Sequence, residues 1–332
     1  MTNSKYDVVA VGNAIVDVLQ AVPEDFLIRE SIVKGAMTLI DEARADHLTE
    51  AFENPVIAAG GSAANTMTGL ASFGARAGYI GKVAVDELGR QFTREFRAAG
   101  VAFDTPPRLG PPGTARSLIA VTPDGQRSMN TYLGASTLLE SSDIDRGLIE
   151  AGAITFLEGY LFDRDEAKAA FVKAAEIAKA AGRKVSITLS DLFCVERHRE
   201  SFRHLVKHHI DILFANEREI LALYQTNQLE TALEAAEADC EMVAVTRSEA
   251  GSVILARGER VNVAPFPVEA VVDSTGAGDQ YAAGFLFGYA RGRPLRECGA
   301  LASLAAAEVI SHMGPRPDAE LKALAHKHAL PT

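Results

Sequence analysis

The segment 273–279 near the C-terminal end, Asp-Ser-Thr-Gly-Ala-Gly-Asp, combines small residues with a carboxylate. Apolar residues recur at helical spacing directly after it, which places Asp279 at a predicted helix N-terminus. Glycines let the backbone approach a ligand closely, and a helix N-terminus attracts anions. We therefore expect backbone N–H groups of Gly276, Ala277 and Gly278 to contact a phosphate in transfer. Asp279 would then take the proton of an acceptor hydroxyl.

A purely structural interpretation of this segment stays open, because small residues often precede helices and Asp279 is itself a good helix cap. Two other phosphate-binding patterns do not fit the chain. A Walker A loop that used Gly81 and Lys82 would need glycine at the position of Arg76. The dinucleotide pattern Gly-x-Gly-x-x-Gly fails because Tyr281 takes the place of its third glycine.

A second glycine motif, Gly60-Gly61, precedes another helical pattern, which ends at Gly74. Ser62 is a natural N-cap for that helix. Two adjacent glycines let a ligand touch the backbone, and Asn65, in the first turn, can hydrogen-bond a hydroxyl. A tightly packed helix start with an ordinary polar asparagine is the alternative interpretation.

Composition limits the function classes that these motifs can serve. The 332 residues carry a net charge of −11, and 48% of them are hydrophobic, which excludes disorder as the main state. An acidic chain without a basic run is a poor candidate for nucleic-acid binding, and no apolar run is long enough to span a membrane. The first residues are polar, and the three cysteines form no Cys-x-x-Cys pair. We therefore expect a cytoplasmic location.

Short apolar runs alternate with helical patterns along most of the chain. Val8–Val11, Val185–Leu189, Ile210–Phe214 and Met242–Val245 are typical of buried strands. Asp165–Ala181 is predicted to be a helix, because it is rich in Ala, Lys and Glu and is followed by a glycine. This alternation predicts an α/β fold with a parallel sheet covered on both faces.

Two stretches interrupt the alternation and predict a smaller, mostly β unit. Residues 13–54 contain short strand patterns and one helix, and residues 101–132 are rich in Pro and Gly. Within the second stretch, 114–122 and 127–132 predict a hairpin with an Asp-Gly turn. The remaining segments are assigned to one large α/β unit that carries the nucleotide site: 1–12, 55–100 and 133–332.

Taken together, Gly60-Gly61 and the segment 273–279 resemble the two signatures of the ribokinase-like (PfkB) family of sugar and nucleoside kinases. Ser274 replaces the usual threonine of the second signature. The order of the motifs and the α/β alternation agree with the family along essentially the whole chain. The resemblance implies a three-layer α/β/α domain with a central, mostly parallel sheet and a small β-sheet lid.

Within that family, three segments are most similar to adenosine kinases: 12–17, 60–65 and 127–135. The resemblance places Asn13 and Asp17 at the nucleoside site, with Asp17 on the ribose hydroxyls. By the same resemblance, an apolar pocket for the base is lined by Met129, Leu133, Leu161 and Phe193. Each of these four side chains can equally belong to the hydrophobic core.

Three further matches concern the phosphate donor. Asn216 and Glu219 match an Asn-x-x-Glu pattern that organises Mg²⁺ and phosphate in the family, Glu219 acting on the metal through water. The same spacing is also nearly a helix capping box. Thr246 begins a looser match to the ATP-side loop, in which Ser248 replaces the usual glycine. Arg127, in the hairpin, is expected to swing over the phosphates.

The resemblance therefore implies ATP-dependent phosphorylation of the 5′-hydroxyl of adenosine, with Asp279 as the base. Asp17, Gly61 and Asn65 would hold the ribose, and Gly60 belongs to the same motif. ATP and Mg²⁺ are implied, with K⁺ as a further candidate cation. Ribose, fructose or another nucleoside remains an alternative acceptor, and a non-catalytic sensor is the alternative from another class. A monomer is expected rather than a dimer formed through the lid.

Overall fold

The computed structural model describes residues 4–332, and only the backbone of residue 163. The strands are β1 (Tyr6–Val11), β2 (Ile15–Ala21), β3 (Met37–Leu39), β4 (Val56–Gly60), β5 (Ala77–Ile80), β6 (Val101–Phe103), β7 (Ala115–Val121), β8 (Arg127–Tyr132), β9 (Gly152–Glu158), β10 (Lys184–Thr188), β11 (Ile212–Asn216), β12 (Met242–Thr246), β13 (Ser252–Ala256) and β14 (Glu259–Val263).

The helices are α1 (Glu24–Arg29), α2 (Glu42–Ala51), α3 (Ser62–Ser72), α4 (Glu87–Ala98), α5 (Arg146–Ala151), α6 (Asp165–Ala180), α7 (Leu192–His209), α8 (Glu217–Leu223), α9 (Leu229–Asp239), α10 (Ala277–Ala290), α11 (Leu295–Ile310) and α12 (Leu321–Lys327). Short 3₁₀ turns occupy Gly134–Leu138, Ser141–Asp143, Gly159–Asp163 and Ser248–Ala250. Over residues 4–332, no helix is both long enough and apolar enough to cross a membrane.

The larger sheet of the described chain has nine strands in the order β14-β13-β12-β11-β10-β9-β1-β5-β6. All neighbours from β12 to β6 are parallel, whereas β13 runs antiparallel to both of its neighbours, β12 and β14. The four apolar runs predicted as strands correspond to β1, β10, β11 and β12, with ends that differ by at most two residues. The expectation of a mostly parallel α/β sheet is confirmed.

Helices cover this sheet on both faces, and β1 shows why its sequence has no polar alternation. Val8 and Ala10 pack into the core formed with α3, α4, α10, α11 and α12. Val9 and Val11 pack into the opposite core, formed with α5, α6, α7, α8 and α9. Since successive side chains of a strand point to opposite faces, a strand buried on both faces must be apolar throughout.

The smaller sheet of the described residues has five strands in the order β3-β8-β7-β2-β4. β7 and β8 form the predicted antiparallel hairpin. Along β2, Val16 and Val18 are buried in the core with α1 and α2, whereas Ile15 and Asp17 face a cavity on the other side. This sheet therefore has one covered face and one face that is turned towards the larger unit.

Two expected boundaries of the smaller unit are wrong. β4 was expected in the large unit as part of 55–100, but it pairs antiparallel with β2 from Val56 to Gly60 and belongs to the smaller sheet. β6 was expected in the smaller unit as part of 101–132, but it pairs parallel with β5 in the larger sheet. In both cases the backbone hydrogen bonds of the strand, rather than the local composition, decide the sheet to which it belongs.

Close contact between α10 and α11 fixes the position of the helix that carries Asp279. At Gly284 of α10, a Cβ atom would overlap the carbonyl oxygen of Leu301 and lie 2.7 Å from the Cα of Ala302. Only a residue without a side chain permits this approach of the two helix backbones.

We expect Gly284→Ala to lower the free energy of unfolding by about 1–3 kcal/mol, because the added methyl group overpacks this contact. Gly147→Ala, at an exposed position in α5, is the matched control. It should be neutral or stabilising by up to about 1 kcal/mol, since alanine favours a helix more than glycine does. Urea unfolding of both variants measures the difference, and equal stabilities would contradict the packing argument.

Candidate active site

A cavity of about 560 Å³ lies between the carboxyl ends of the larger sheet's strands and the inner face of the smaller sheet. Four strand ends reach it in order across the sheet: Glu158 of β9, Thr188 of β10, Asn216 of β11 and Thr246 of β12. Parallel strands present their carboxyl ends at one edge, which is where open α/β sheets bind ligands.

Most of the residues expected at the site line this one cavity, although they come from distant parts of the chain. They are Asn13, Asp17, Gly61, Asn65, Arg127, Met129, Leu133, Phe193, Asn216, Glu219, Thr246, Gly276, Ala277, Gly278 and Asp279. Gly60 stands just behind the lining, where a Cβ atom would overlap the Asp17 carboxylate. The two glycine motifs are thus brought together by the fold.

Leu161 is an exception, and its expected place in a base pocket is wrong. Its side chain is buried in the core of the larger unit and is not part of the cavity wall. The wall carries Tyr160 instead, because a 3₁₀ turn follows β9 and directs the two side chains apart. Phe193 does line the cavity, but its residue surface is 55% exposed, and the guanidinium of Arg197 stacks 4.0 Å from its ring centre.

The glycine-rich loop presents free donors at the start of α10. Gly276 adopts a left-handed conformation with φ of 80°, and a Cβ atom there would clash with Pro315. Within residues 4–332, the backbone N–H groups of Gly278 and Asp279 donate to no protein acceptor. Unpaired N–H groups and the helix dipole together form a site suited to an anion.

The carboxyl group of Asp279 is partly buried against the first turn of α3. Ser62 Oγ donates a hydrogen bond of 2.6 Å to Asp279 Oδ1, and Asn65 Nδ2 donates one of 3.2 Å to Oδ2. Burial raises the pKa of Asp279 to about 7, and the two hydrogen bonds partly oppose that increase. Ser62 was expected to be the N-cap of α3, but Gly61 occupies that position, and the Ser62 hydroxyl serves Asp279 instead.

Asp17 lies on β2, across the cavity from the glycine-rich loop. Burial raises the pKa of Asp17 to about 6, while the positive charges of Arg316 and Arg127 lower it. Arg316 Nε also donates to Asn65 Oδ1 over 3.5 Å, so this arginine lies between the two acceptor-side motifs. Arg316 has no counterpart in the sequence motifs and was not anticipated.

Glu158 is a second buried carboxyl group that the sequence analysis missed. Its Oε1 accepts hydrogen bonds from the backbone N–H and the Nδ2 of Asn13, and its Oε2 accepts one from Ala63. Burial raises the pKa of Glu158 to about 7. A charged residue directly after the apolar run 153–157 was the available signal, because a strand end at this edge of the sheet faces the ligand.

Arg127 was expected at the phosphates, and the structure pairs it with Asp273. Its Nη2 lies 2.9 Å from Asp273 Oδ2, and both side chains are less than a tenth exposed. The positive charge of Arg127 and the N–H of Gly314 help to hold the pKa of Asp273 below its usual range, against the effect of burial. Within the described part of the chain, Arg127 Nε and Nη1 are buried without a hydrogen-bond acceptor.

Asn216 and Glu219 form the capping box of α8. Glu219 Oε1 accepts from Asn216 Nδ2 over 2.6 Å, and Asn216 Oδ1 accepts from the Glu219 N–H over 2.9 Å. Burial raises the pKa of Glu219 to about 7. Among residues 4–332, no group of three or more His, Cys, Asp or Glu side chains is arranged to hold a metal ion. The Glu219 carboxylate at this end of the sheet would fit a Mg²⁺ ion held chiefly by phosphate oxygens and water.

The inner face of the smaller sheet is mainly apolar. Its side chains and those next to it include Ile15, Met37, Leu39, Ile119, Met129 and Leu133. The polar residues Ser117 and Thr131 on the same face hydrogen-bond each other over 2.9 Å. This wall therefore offers apolar surface to a ligand, beside the charged side chains of Asp17 and Arg127 on the same face.

Comparison with known proteins gives the class of the protein. The family model of pfkB family carbohydrate kinases matches residues 31–322. The chain therefore belongs to the pfkB family of carbohydrate kinases, and it is a phosphotransferase with an alcohol group as acceptor. The resemblance to the ribokinase-like family and the expected fold class are both confirmed at this level.

Individual relatives carry different substrate names. The crystal structure of an adenosine kinase from Sinorhizobium meliloti is 51% identical, with a TM-score of 0.91, and the match covers 98% of this chain and 100% of that one. A probable sugar kinase protein from Rhizobium etli CFN 42 is 47% identical, with a TM-score of 0.92, over 99% and 100% of the two chains. An uncharacterized sugar kinase of Archaeoglobus fulgidus is 30% identical over 75% of this chain and 96% of its own.

We expect Asp273→Asn to lower the free energy of unfolding by about 3 kcal/mol, because it leaves the buried Arg127 guanidinium without its charge partner. Glu150→Gln, which removes the exposed ion pair of Glu150 with Arg146, should change stability by less than about 0.5 kcal/mol. Urea unfolding at neutral pH compares the two variants. Similar small losses in both would mean that the Arg127–Asp273 pair contributes no more than a surface pair.

Proposed function

We propose that the protein transfers the γ-phosphate of ATP to the 5′-hydroxyl of adenosine and releases AMP and ADP. The observation that carries this proposal is the position of Asp279. Its partly buried carboxyl group stands beside the free N–H groups at the start of α10, and it shares one cavity with an apolar wall. A base, an anion site and a surface for a nucleobase thus lie together.

In this proposal, Asp279 accepts the proton of the attacking hydroxyl. A pKa of about 7 suits a base near neutral pH, because about half of the group is ionised there and its carboxylate is more basic than that of an ordinary aspartate. The Ser62 and Asn65 side chains hold the carboxylate in a fixed orientation. Proton transfer to the carboxylate strengthens the nucleophile as the new phosphorus–oxygen bond forms.

Backbone donors stabilise the charge that develops on the transferred group. The N–H groups of Gly278 and Asp279 serve the phosphate oxygens, and the α10 dipole acts in the same sense. Of the other two N–H groups expected at the phosphate, that of Gly276 has no acceptor within residues 4–332, whereas that of Ala277 donates to the Ser274 carbonyl over 3.3 Å and is not free. Arg127 has two buried N–H groups without acceptors, which can donate to the donor phosphates.

The ATP side lies along the ends of β11 and β12, where Asn216 and Thr246 line the cavity. Bound Mg²⁺ supplies charge neutralisation of the phosphates. Glu219 orients water at that position, as its carboxylate is already fixed by Asn216. Phosphoryl transfer depends mainly on such positioning and electrostatics.

On the acceptor side, Asp17 binds ribose hydroxyls, and Asn13, Gly61 and Asn65 complete the contacts. The smaller sheet acts as a lid whose closure excludes water, which would otherwise compete as a phosphate acceptor. The base packs on the apolar wall formed by residues such as Met129 and Leu133. We further propose that the protein acts as a monomer in the cytoplasm.

A sugar is the second candidate acceptor, and the names of two relatives favour it. Against a sugar stands the apolar wall, where Ser117 and Thr131 satisfy each other and offer little to additional hydroxyls. Against a sensor without activity stands Asp279, because ligand binding alone needs no base at the phosphate site.

The test is mass spectrometry of products formed from ATP, Mg²⁺ and K⁺ with adenosine, inosine, guanosine, ribose or fructose. We expect AMP from adenosine, with turnover reduced by about 10²–10⁴-fold in Asp279→Asn and adenosine affinity largely kept. Product from a sugar alone would reject adenosine but keep the chemistry. Binding without any product would favour the sensor, and near-normal turnover of folded Asp279→Asn would reject Asp279 as the base.

The pH dependence should reveal the hydrogen bond between Ser62 and Asp279. Activity requires ionised Asp279, so kcat/KM should fall as the pH decreases below about 7, together with titration of the coupled Glu158 and Asp17. Ser62→Ala removes a donor that stabilises the carboxylate, which raises the pKa of Asp279. We expect the acid limb to move to higher pH, by up to about one unit.

Ser72→Ala is the matched control for this profile. Ser72 belongs to the same helix, α3, but its hydroxyl bonds the backbone of Ala319 and Leu321 at the far end. The acid limb of the pH profile of Ser72→Ala should coincide with that of the unmodified protein. An unshifted limb in Ser62→Ala would show that this hydroxyl does not tune the base.

A further inference from the structure

Glu158 lines the cavity and accepts hydrogen bonds from three N–H donors, although the proposed transfer gives it no role. Its two contacts with Asn13 measure 3.3 Å to the backbone nitrogen and 2.8 Å to Nδ2, and its contact with the Ala63 nitrogen measures 2.7 Å. Only 1% of the residue is exposed. No polar group buried this deeply is maintained without a reason in packing or in function.

The two partners of Glu158 lie on two different connections between the sheets. Asn13 belongs to the connection from β1 in the larger sheet to β2 in the smaller one. Ala63 stands in the first turn of α3, just after the chain leaves β4 of the smaller sheet. Each connection carries residues that face the acceptor side of the cavity.

The two connections also touch each other directly. Gly61 has φ of 101°, and a Cβ atom there would overlap the carbonyl oxygen of Asn13. The Tyr79 hydroxyl donates to the same carbonyl oxygen over 2.7 Å. Asn13 is therefore fixed at its backbone nitrogen, its backbone oxygen and its side-chain nitrogen. The side-chain oxygen of Asn13 is the atom left to meet a ligand.

We propose that Glu158 is a positioning residue that locks the connections at Asn13 and Gly61–Ala63 together and turns the Asn13 amide oxygen towards the acceptor. The inference rests on the proposed function, in which these connections bind the acceptor. A carboxylate suits the role because all three partners are donors and an ionised carboxylate only accepts. Glutamine has nearly the same shape, but its amide would face one of the donors with another N–H.

The test compares steady-state kinetics of Glu158→Gln with those of the unmodified protein, with adenosine and ATP varied separately. We expect the KM for adenosine to rise about 10–100-fold, which corresponds to the loss of one hydrogen bond to a charged group. The kinetics are measured well above pH 7, where Asp279 is ionised whether or not the charge of Glu158 raises its pKa. There the KM for ATP and kcat should stay within about threefold, because Glu158 makes no contact with the donor side or with Asp279. Glu158→Asp keeps the charge but shortens the side chain, and it should show an intermediate KM.

Asp211→Asn provides a matched control for simple loss of a buried carboxylate. Asp211 accepts a 2.8 Å bond from the Val185 N–H and a 2.9 Å bond from Lys179, at the opposite edge of the larger sheet. We expect this variant to unfold at a lower temperature with an unchanged KM for adenosine. A matching rise in KM in both variants would reduce Glu158 to a structural role and overturn the proposal.

A double-mutant cycle with Asn13→Ala tests whether Glu158 acts through Asn13. If it does, the double variant should have a KM for adenosine close to that of Asn13→Ala alone. Independent, multiplying effects would overturn the proposal. If Glu158→Gln does not fold, Glu158→Asp carries the same comparison. Failure of the proposed function is distinct, because it appears as the absence of AMP with the unmodified protein.

Discussion

The partial burial of the Asp279 carboxyl group between two helix N-termini is the constraint on which the site depends. α10 supplies the residue itself, and the first turn of α3 supplies the hydroxyl and amide that contact it. A carboxylate out of water is unfavourable unless nearby donors and dipoles compensate for the lost hydration. The pKa of about 7 reflects incomplete compensation. The fold must therefore hold both helix starts at one point, and the tight contact of α10 with α11 contributes to this.

The rest of the architecture follows from the need to bring distant segments to that point. The parallel sheet places the ends of β9, β10, β11 and β12 along one edge, and the smaller sheet closes the opposite side. Buried ionic and polar contacts join the parts, with Arg127 linking β8 to the glycine-rich loop and Glu158 linking β9 to two connections. Each contact lies where a wrong placement would leave a charge without a partner.

The sequence was sufficient to predict the buried strands of the larger sheet, because a strand such as β1, buried on both faces, must be apolar throughout. It was also sufficient for the two glycine motifs, whose residue types are rarely interchangeable. Prediction from the sequence failed where a distant pairing partner determines the sheet to which a strand belongs. β4 joins the smaller sheet because it pairs with β2, about forty residues earlier in the chain. Leu161 and Tyr160 could not be separated, since only the turn after β9 decides which one faces the cavity. Glu158 belongs to no sequence motif, and its role becomes visible only when the structure shows its contacts with Asn13 and Ala63.

The apolar wall of the smaller sheet has a thermodynamic consequence. Without an acceptor, Met37 and Leu39 on this wall are 41% and 45% exposed to water. A nucleobase that packs on them removes apolar surface from solvent, so its association carries a negative change in heat capacity. The enthalpy of binding then becomes more favourable as the temperature rises. The heat capacity of binding to this wall would then change as it does when a protein core forms, whereas the proposed contacts of Asp17 with ribose would lack this signature.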